Sequence, residues 1–532
     1  MDALDRVAGF LEQRLQLMDA PGAVVAITDR ERTLGVRAIG LSDAFAKTQM
    51  RDGDRLHLGS IGKSFAAFVA MQLKDAGKLD LDAPVTDYVP WFEVRSRYEP
   101  ITTNHLLSHT SGLGTGRDFT GDTVADLWRF RDYETGFAPG EHEHYSNDGY
   151  KLVGLILESA GGSHVADLIR EGIFRPLGMT QSIARVTPDT EPEMVPGYGR
   201  PHWDRPTHPS QPLVQAPHVS SDTADGSIVS SAGDVCMFLR LLLNEGGELI
   251  RPESAALMSS PKIDTDEWAG WSTHYGYGLY LGEREGHSLL GHTGSMPGYL
   301  AAMVGDRTDG TGVVVLLNGG SERDEGARNE TVLFALDSLR GLDAGSPRPP
   351  DPTAVPNAAE YAGKYQGDGV DFDLSAESGK LLMRIGGETV ALEPRDDDAF
   401  YALHPSLELH YLRFGRDEQG EVVEAFHGGD WFPNERYKGP REFPHPEEWD
   451  ALSGHYTAHN PMYPGFRIFV RKGLLFADMY SEDWPLKQLP DGRFHAGEED
   501  WSPRRIEFDM FVDGKPARAI LDGAPYYRSF VP

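Results

Sequence analysis

An α/β (α+β) domain with an antiparallel sheet and a helical cluster, followed by two small antiparallel β-barrels, is the fold class that the 532-residue sequence predicts. Three observations carry it. Strand patterns bracket a run of helical patterns in the first part of the chain. A proline-rich stretch then ends that part, and two segments of alternating character follow, opening on similar motifs.

In chain order, Val24-Val25-Ala26-Ile27 and Leu34 to Ile39 flank a turn over Asp29 to Thr33 and read as a hairpin. Helical spacing of apolar residues follows at Ser64 to Leu73, Asn104 to Leu107, Gly149 to Ala160, His164 to Ile169 and Ala232 to Leu243. Strand-like runs return at Gly298 to Val304 and Val313 to Leu317, before a last helix around Glu330 to Leu339. Strands at both ends with helices between them imply a sheet closed by sequence-distant strands. The run DAGSPRPPDPTAVP, from Asp343 to Pro356, reads as a linker, and KGPREFPHPEE, from Lys438 to Glu448, as a second break. The segments they separate open Tyr361-Ala362-Gly363-Lys364-Tyr365 and Leu452-Ser453-Gly454-His455-Tyr456, an offset of 91 residues. Both continue in short alternating runs broken by Gly and Asp, the pattern of small barrels or sandwiches. The expected domains are therefore 1–342, 357–438 and 449–532.

Charge narrows the partners. With 82 acidic against 50 basic side chains the net charge is −32, which repels nucleic acid and anionic membranes. A small molecule or short peptide is the expected partner, with a homo-oligomer left open. Only 12 of the basic residues are lysines. Cys236 is the single cysteine, in the apolar run Val235 to Leu239, so it reads as packing and no intrachain disulfide can form. The amphipathic start (Val7, Phe10, Leu11, Leu15) lacks the form of a signal peptide, and no apolar run approaches membrane-spanning length. A soluble, cytoplasmic protein is expected.

Three short elements carry chemistry. Ser60-Ile61-Gly62-Lys63 has the S-x-x-K pattern, as does Ser259-Ser260-Pro261-Lys262. Pro261 and its polar surroundings put the second in a loop or at a helix end. Ser60 instead opens a run with Phe65, Phe68, Val69 and Leu73 on one helical face. Residues three apart on a helix are neighbours, so the Lys63 amine can reach the Ser60 hydroxyl. The free N–H groups of the helix start face any oxyanion formed there. A serine becomes nucleophilic once a base takes its proton, and a desolvated lysine can be that base. The competing reading makes Ser60 a helix N-cap and Lys63 a solvated surface lysine. Tyr145-Ser146-Asn147 lies before the helix near Gly149. Tyr145 could be a phenolate or proton shuttle if cations lower its pKa, and Asn147 could hold a substrate carbonyl or orient Lys63. Gly291-His292-Thr293-Gly294-Ser295 would let a substrate backbone lie along a strand, with the Ser295 N–H as a second oxyanion donor beside that of Ser60. Otherwise it is a Gly-rich turn.

In this order, these elements resemble the family of serine β-lactamases, penicillin-binding proteins and their esterase and peptidase relatives. Their separations resemble the class C branch, as do the stretches at Leu106 to Leu113, Ile173 to Met179 and Ser227 to Asp234. The resemblance covers about residues 5–340 and implies a β-lactamase-like fold, an acyl-enzyme on Ser60, proton transfer by Lys63 and Tyr145, and substrate support from Asn147, with no cofactor and no metal. Penicillin-recognising members carry lysine where this chain has His292. A neutral imidazole grips a carboxylate less well, which argues against efficient β-lactam hydrolysis. An H-x-G element with two C-terminal β-domains resembles the three-domain D-aminopeptidase layout of peptidase family S12, whose barrels look lipocalin-like. In that group a loop of the last domain limits substrate size, and HNPMYPGF, His459 to Phe466, is the matching segment here. The implied activity is hydrolysis of small amides, peptides or esters. Carboxylesterase or acyltransferase activity, and a weak β-lactamase or a penicillin sensor without turnover, are the alternatives.

Other clusters fit less well. His105 and His109 are four apart, and His142 and His144 flank Glu143, but neither pair has a second ligand set for a metal. Asp396-Asp397-Asp398 lacks the alternating ligands of a calcium loop, and Gly112 to Gly116 lacks a P-loop lysine. Phe119, Trp128, Trp203, Trp268 and Tyr299 are candidates to line a substrate pocket or simply to pack.

Overall fold

The computed structural model describes residues 3–116, 122–342, 349–367, 369–479 and 482–529. Phe119 lies outside them, as does the side chain of Trp268. The chain forms two units. The first holds residues 1–201, 209–348 and 501–503, and the second holds 202–208, 349–500 and 504–532.

The first unit is built on a nine-stranded sheet. Within it the strand Gly22–Asp29 is paired antiparallel with Thr33–Asp43 on one side and with Thr311–Leu317 on the other. First and last strands thus meet, closing the sheet across some 290 residues of chain. The run GAVVAI, Gly22 to Ile27, carries no polar side chain because both faces are covered. Ala23, Val25 and Ile27 face the helices Ala3–Leu15 and Glu322–Leu339, where Phe10 stacks on Phe334 at 4.1 Å. Val24 and Ala26 face the larger core, shared with Ala232–Leu243 and the helix Gly62–Asp75. That last helix is buried on nearly every side, so an amine carried near its start cannot be an ordinary surface lysine.

In the second unit, strands from Gly363–Gln366 to Asp430–Pro433 form an eight-stranded sheet. A bridge between Tyr365 and Asn434 draws its ends together. Strands from Gly454–Thr457 to Ala524–Arg528 form a closed eight-stranded barrel. Each is preceded by a short helix, Ala358–Tyr361 and Glu448–Leu452. The 91-residue offset is repeated in how those helices are tied down. Tyr365 Oη donates to the Tyr361 carbonyl at 2.8 Å, and Tyr456 Oη to that of Leu452 at 2.7 Å. Arg436 donates to the carbonyls of Glu360 and Ala362, and Arg528 to those of Ala451 and Ser453. Two barrels using one tyrosine and one arginine in the same way are the structural form of the repeated sequence motif.

Candidate active site

Ser60 does not cap a helix. It sits in a 3-10 turn, Gly59–Ile61, directly before the helix Gly62–Asp75. Two glycines let the strand His287–Met296 lie against this turn. Gly59 has φ +52, and a Cβ there would fall 2.6 Å from the N and O of Ser295; one on Gly294 would fall 1.8 Å from the Leu58 carbonyl oxygen and 3.1 Å from Ser60 N. The backbones of Ser60 and Ser295 are thereby held side by side. Pairing of this strand with Tyr280–Arg284 runs only from His287 to Gly291.

Lys63, one turn on, is fully buried. Its Nζ lies 2.9 Å from Ser60 Oγ, 2.8 Å from Asn147 Oδ1 and 2.8 Å from the Asp225 carbonyl oxygen. Burial lowers its pKa from 10.5 to about 7; the Asp225 carboxylate raises it and Lys151 lowers it. The identity of the three partners fixes the chemistry. An amide oxygen and a peptide carbonyl can only accept. A neutral amine has two N–H groups for them, so its lone pair is left facing the one partner that can donate, the Ser60 hydroxyl.

Tyr145 is hydrogen-bonded to Ser60 from the other side, with the Lys63 amine 4.9 Å from its ring centroid. The phenolate expected if cations lowered its pKa is not favoured here: burial raises the hydroxyl well above 10, with smaller contributions in the same direction from Tyr280, Tyr150 and Asp225 and an opposing one from the Ser60 hydrogen bond. Tyr145 is thus a protonated donor at neutral pH. Ser146 caps the helix Asn147–Gly161 by accepting from Gly149 N at 2.9 Å, and this cap aims Asn147 at Lys63.

His292 is buried. Its Nδ1 lies 2.5 Å from the Thr293 carbonyl, which can only accept, and its Nε2 lies 2.9 Å from Tyr275 Oη. Nδ1 therefore carries the proton and Nε2 accepts from the phenol. Burial lowers the ring's pKa to about 3, so it is neutral. Thr293 and Gly294 are buried with it, and Ser295 is half-buried.

Two contributors carry no isolated sequence signal. The carbonyl of Asp225 holds Lys63, from a loop that no motif marks. His109, weighed in the sequence as a metal ligand and as part of the family-like stretch Leu106 to Leu113, packs its ring tilted against that of Tyr145 at 4.1 Å between centroids, while its Nδ1 accepts from Ser146 N at 3.1 Å. His105, its four-residue neighbour, is spent on Thr102 at the start of helix Thr103–Leu107, so the pair does not converge. His144 Nε2 meets Thr115 Oγ1 at 3.1 Å. Among the described residues, His287, Asp306 and Asp309 lie close enough to share an ion, but Arg340 already occupies Asp306 at 2.8 Å. Of the aromatic candidates, Tyr299 donates to the Val195 carbonyl at 2.6 Å, Trp128 lies half-exposed under Arg131, and Trp203 falls in the second unit. The segment His459 to Phe466 is a loop pinned by Asn460 Oδ1, which accepts from Met462 N and Tyr463 N, up to the strand Gly465–Arg471.

A protein-family model described as Beta-lactamase matches residues 9–337, well over half the chain and all of the site. The chain belongs to the Beta-lactamase family. Among curated members similar to it are penicillin-binding protein 4 of Amycolatopsis lactamdurans, 30% identical over 58% of this chain and 84% of that protein, and penicillin-binding protein 4* of Bacillus subtilis, 26% identical over 70% and 86%. Solved structures similar in fold include the octameric penicillin-binding protein homologue from Pyrococcus abyssi (TM-score 0.60, 24% identity, 81% of this chain and 100% of that one). The D-amino acid amidase from Ochrobactrum anthropi complexed with D-phenylalanine is another (TM-score 0.54, 24% identity, 64% and 99%). This β-lactamase-family chain thus groups with penicillin-binding proteins and, in fold, with amidases. Among the described residues no single helix is long and apolar enough to cross a membrane.

Proposed function

We propose that the protein is a serine hydrolase that works through a Ser60 acyl-enzyme on small amides, with amino-acid or short-peptide amides as the preferred class. The carrying observation is the set of partners around Lys63 Nζ, which leaves the neutral amine one use: accepting the Ser60 proton. As Ser60 Oγ bonds to the carbonyl carbon, its proton passes to Lys63, and the oxyanion lies between the N–H groups of Ser60 and Ser295. Collapse breaks the C–N bond, and the departing amine takes a proton through Tyr145, whose hydroxyl stays protonated and is resupplied by Lys63. Water then attacks the ester, giving its proton back along the same path. Asn147 orients Lys63. The amidase among the structural neighbours supports amides, and the neutral, enclosed His292 supports a substrate without the carboxylate that a lysine there would grip. Esters share the acylation chemistry.

The test is labelling by an alkyl fluorophosphonate, followed by a panel of D- and L-aminoacyl p-nitroanilides, p-nitrophenyl esters and nitrocefin. Labelling of wild type and none of Ser60→Ala is expected, with turnover of aminoacyl anilides above nitrocefin. Undiminished labelling of Ser60→Ala would remove the assignment.

A further inference from the structure

The second S-x-x-K match resolves into something other than catalysis. Ser259 Oγ and Ser260 Oγ donate back to the Ala255 and Leu257 carbonyls at 2.9 Å, ending the helix Pro252–Met258. Lys262 turns away from them and lies over the Tyr277 ring, 4.7 Å from its centroid. It enters the wall of a cavity of about 550 Å³, which Lys74 and Lys78 also line. Only six lysines lie in the first 340 residues, at positions 47, 63, 74, 78, 151 and 262. Half of them therefore surround one space.

None of the three is neutralised by the protein. Lys74 Nζ has a hydroxyl partner, Ser254 Oγ at 3.3 Å, and among the described residues no ion pair joins Lys74, Lys78 or Lys262 to a carboxylate. The same cavity is also lined by Asp80 and Asp82, which likewise form no ion pair among the described residues. Their oxygens are partly used locally: Asp82 N donates to Asp80 Oδ1 at 3.0 Å, and Asn104 Nδ2 to Asp82 Oδ1 at 3.4 Å. Unpaired cations and unpaired carboxylates thus face a common space without reaching each other. An occupant carrying both charges could meet both sets of groups at once.

We propose that this cavity binds a zwitterionic amino acid or short peptide, its carboxylate on Lys74, Lys78 and Lys262 and its ammonium facing Asp80 and Asp82. The volume lies in the range of small-ligand sites, about 300–1,000 Å³. Tyr277 and Tyr88 supply aromatic wall, with Tyr277 Oη hydrogen-bonded to Asn104. A dianion such as phosphate would meet the two aspartates, and a simple cation the three lysines; a zwitterion satisfies both. The site is separate from Ser60. Lys74 lies 11 residues beyond Lys63 on one helix, about 16 Å along its axis. It nevertheless abuts the catalytic helix, since Ser64 Oγ donates to the Gly278 carbonyl at 2.5 Å and a Cβ on Gly278 would fall 2.6 Å from Lys63 O.

The proposal is independent of the hydrolase reading and fails separately from it. Calorimetric titration of the full chain with glycylglycine, with acetate and with ethylamine tests it, on wild type, K78Q/K262Q and D80N/D82N. Saturable binding of glycylglycine is expected, weakened at least about tenfold in each double variant, as the loss of charge-assisted hydrogen bonds requires. Acetate and ethylamine should each bind at least about tenfold more weakly than the dipeptide. Fluorophosphonate labelling of Ser60 should be the same in K78Q/K262Q as in wild type, which also shows that the variant is folded. Equal dipeptide affinity in wild type and K78Q/K262Q, or acetate or inorganic phosphate binding as tightly as glycylglycine, would overturn the assignment.

Discussion

Replacing Lys63 by methionine separates the energetic and chemical consequences of its burial. The fall of its pKa from 10.5 to about 7 corresponds to about 5 kcal/mol in favour of the neutral amine in the folded chain. In the unfolded chain the ammonium persists to about pH 10.4. Between about pH 7 and 10 the unfolded state therefore binds one more proton than the native state, and stability rises with pH. Below about pH 7 both states are protonated and this slope vanishes. Wild type should thus gain about 1.4 kcal/mol per pH unit relative to K63M between pH 7 and 9, and nothing between pH 5 and 6. Lost hydrogen bonds to Asn147 and Asp225 offset the two curves without tilting them. Urea unfolding at several pH values measures the difference directly. The same titration governs reactivity. The neutral fraction of Lys63 rises from about one tenth at pH 6 to about nine tenths at pH 8, so Ser60 labelling should accelerate about tenfold across that interval and then level. K63R, permanently charged, should stay unlabelled throughout. A difference curve flat from pH 7 to 9, or a labelling limb near pH 10, would refute the desolvated-base argument.

Three other variants probe the framework. H292K removes the acceptor for Tyr275 Oη and buries a second cation near Lys63. It should cost about 1–3 kcal/mol in urea unfolding and move the acid limb of Ser60 labelling below pH 7. G294A puts a Cβ 1.8 Å from the Leu58 carbonyl, where backbone cannot yield. A labelling rate reduced by at least about 100-fold, with about 1–3 kcal/mol lost in stability, is expected. R436M and R528M remove matching ties from the C-terminal end of each β-domain to its first helix. Calorimetry should show both barrels destabilised to a similar extent, about 1–3 kcal/mol each.

The fold class was legible because apolar patterning follows from which faces are covered. The hairpin around Asp29 to Thr33, the helix Ala232–Leu243 and the strand Thr311–Leu317 all lie where period and burial put them. The last helix shows where that logic ends. Periodicity marks it from about Glu330, but it begins at Glu322, because its first turns, ERDEGARN, carry buried polar groups in place of apolar ones. Asp324 there accepts from Asp19 N, Ala20 N and Ser321 N, a job no hydrophobic pattern records. The S-x-x-K and Y-x-N elements do meet around Ser60. What spacing could not reveal is the Asp225 carbonyl, since a backbone oxygen leaves no trace in residue type, nor the packing of His109 on Tyr145. It also could not give the direction of the Tyr145 shift, which depends on neighbours contributed by distant strands.

That direction decides the division of labour in the proposed reaction. Burial acts on both groups beside Ser60, but it disfavours the charged form of each, so it lowers the amine and raises the phenol. A lysine at position 292 would add a cation able to hold a tyrosinate. A neutral imidazole whose tautomer is set by Thr293 and Tyr275 adds none. With no such cation from position 292, the phenol cannot serve as the resting base near neutral pH, and the amine can. Oppositely shifted neighbours thereby assign Lys63 to proton removal and Tyr145 to proton delivery. Because that assignment rests on desolvation, admitting water to Lys63 should abolish it. N147G, which removes an acceptor and opens space beside Nζ, should carry the labelling limb upward from pH 7 toward 10, and a limb left in place would show that something other than burial sets it.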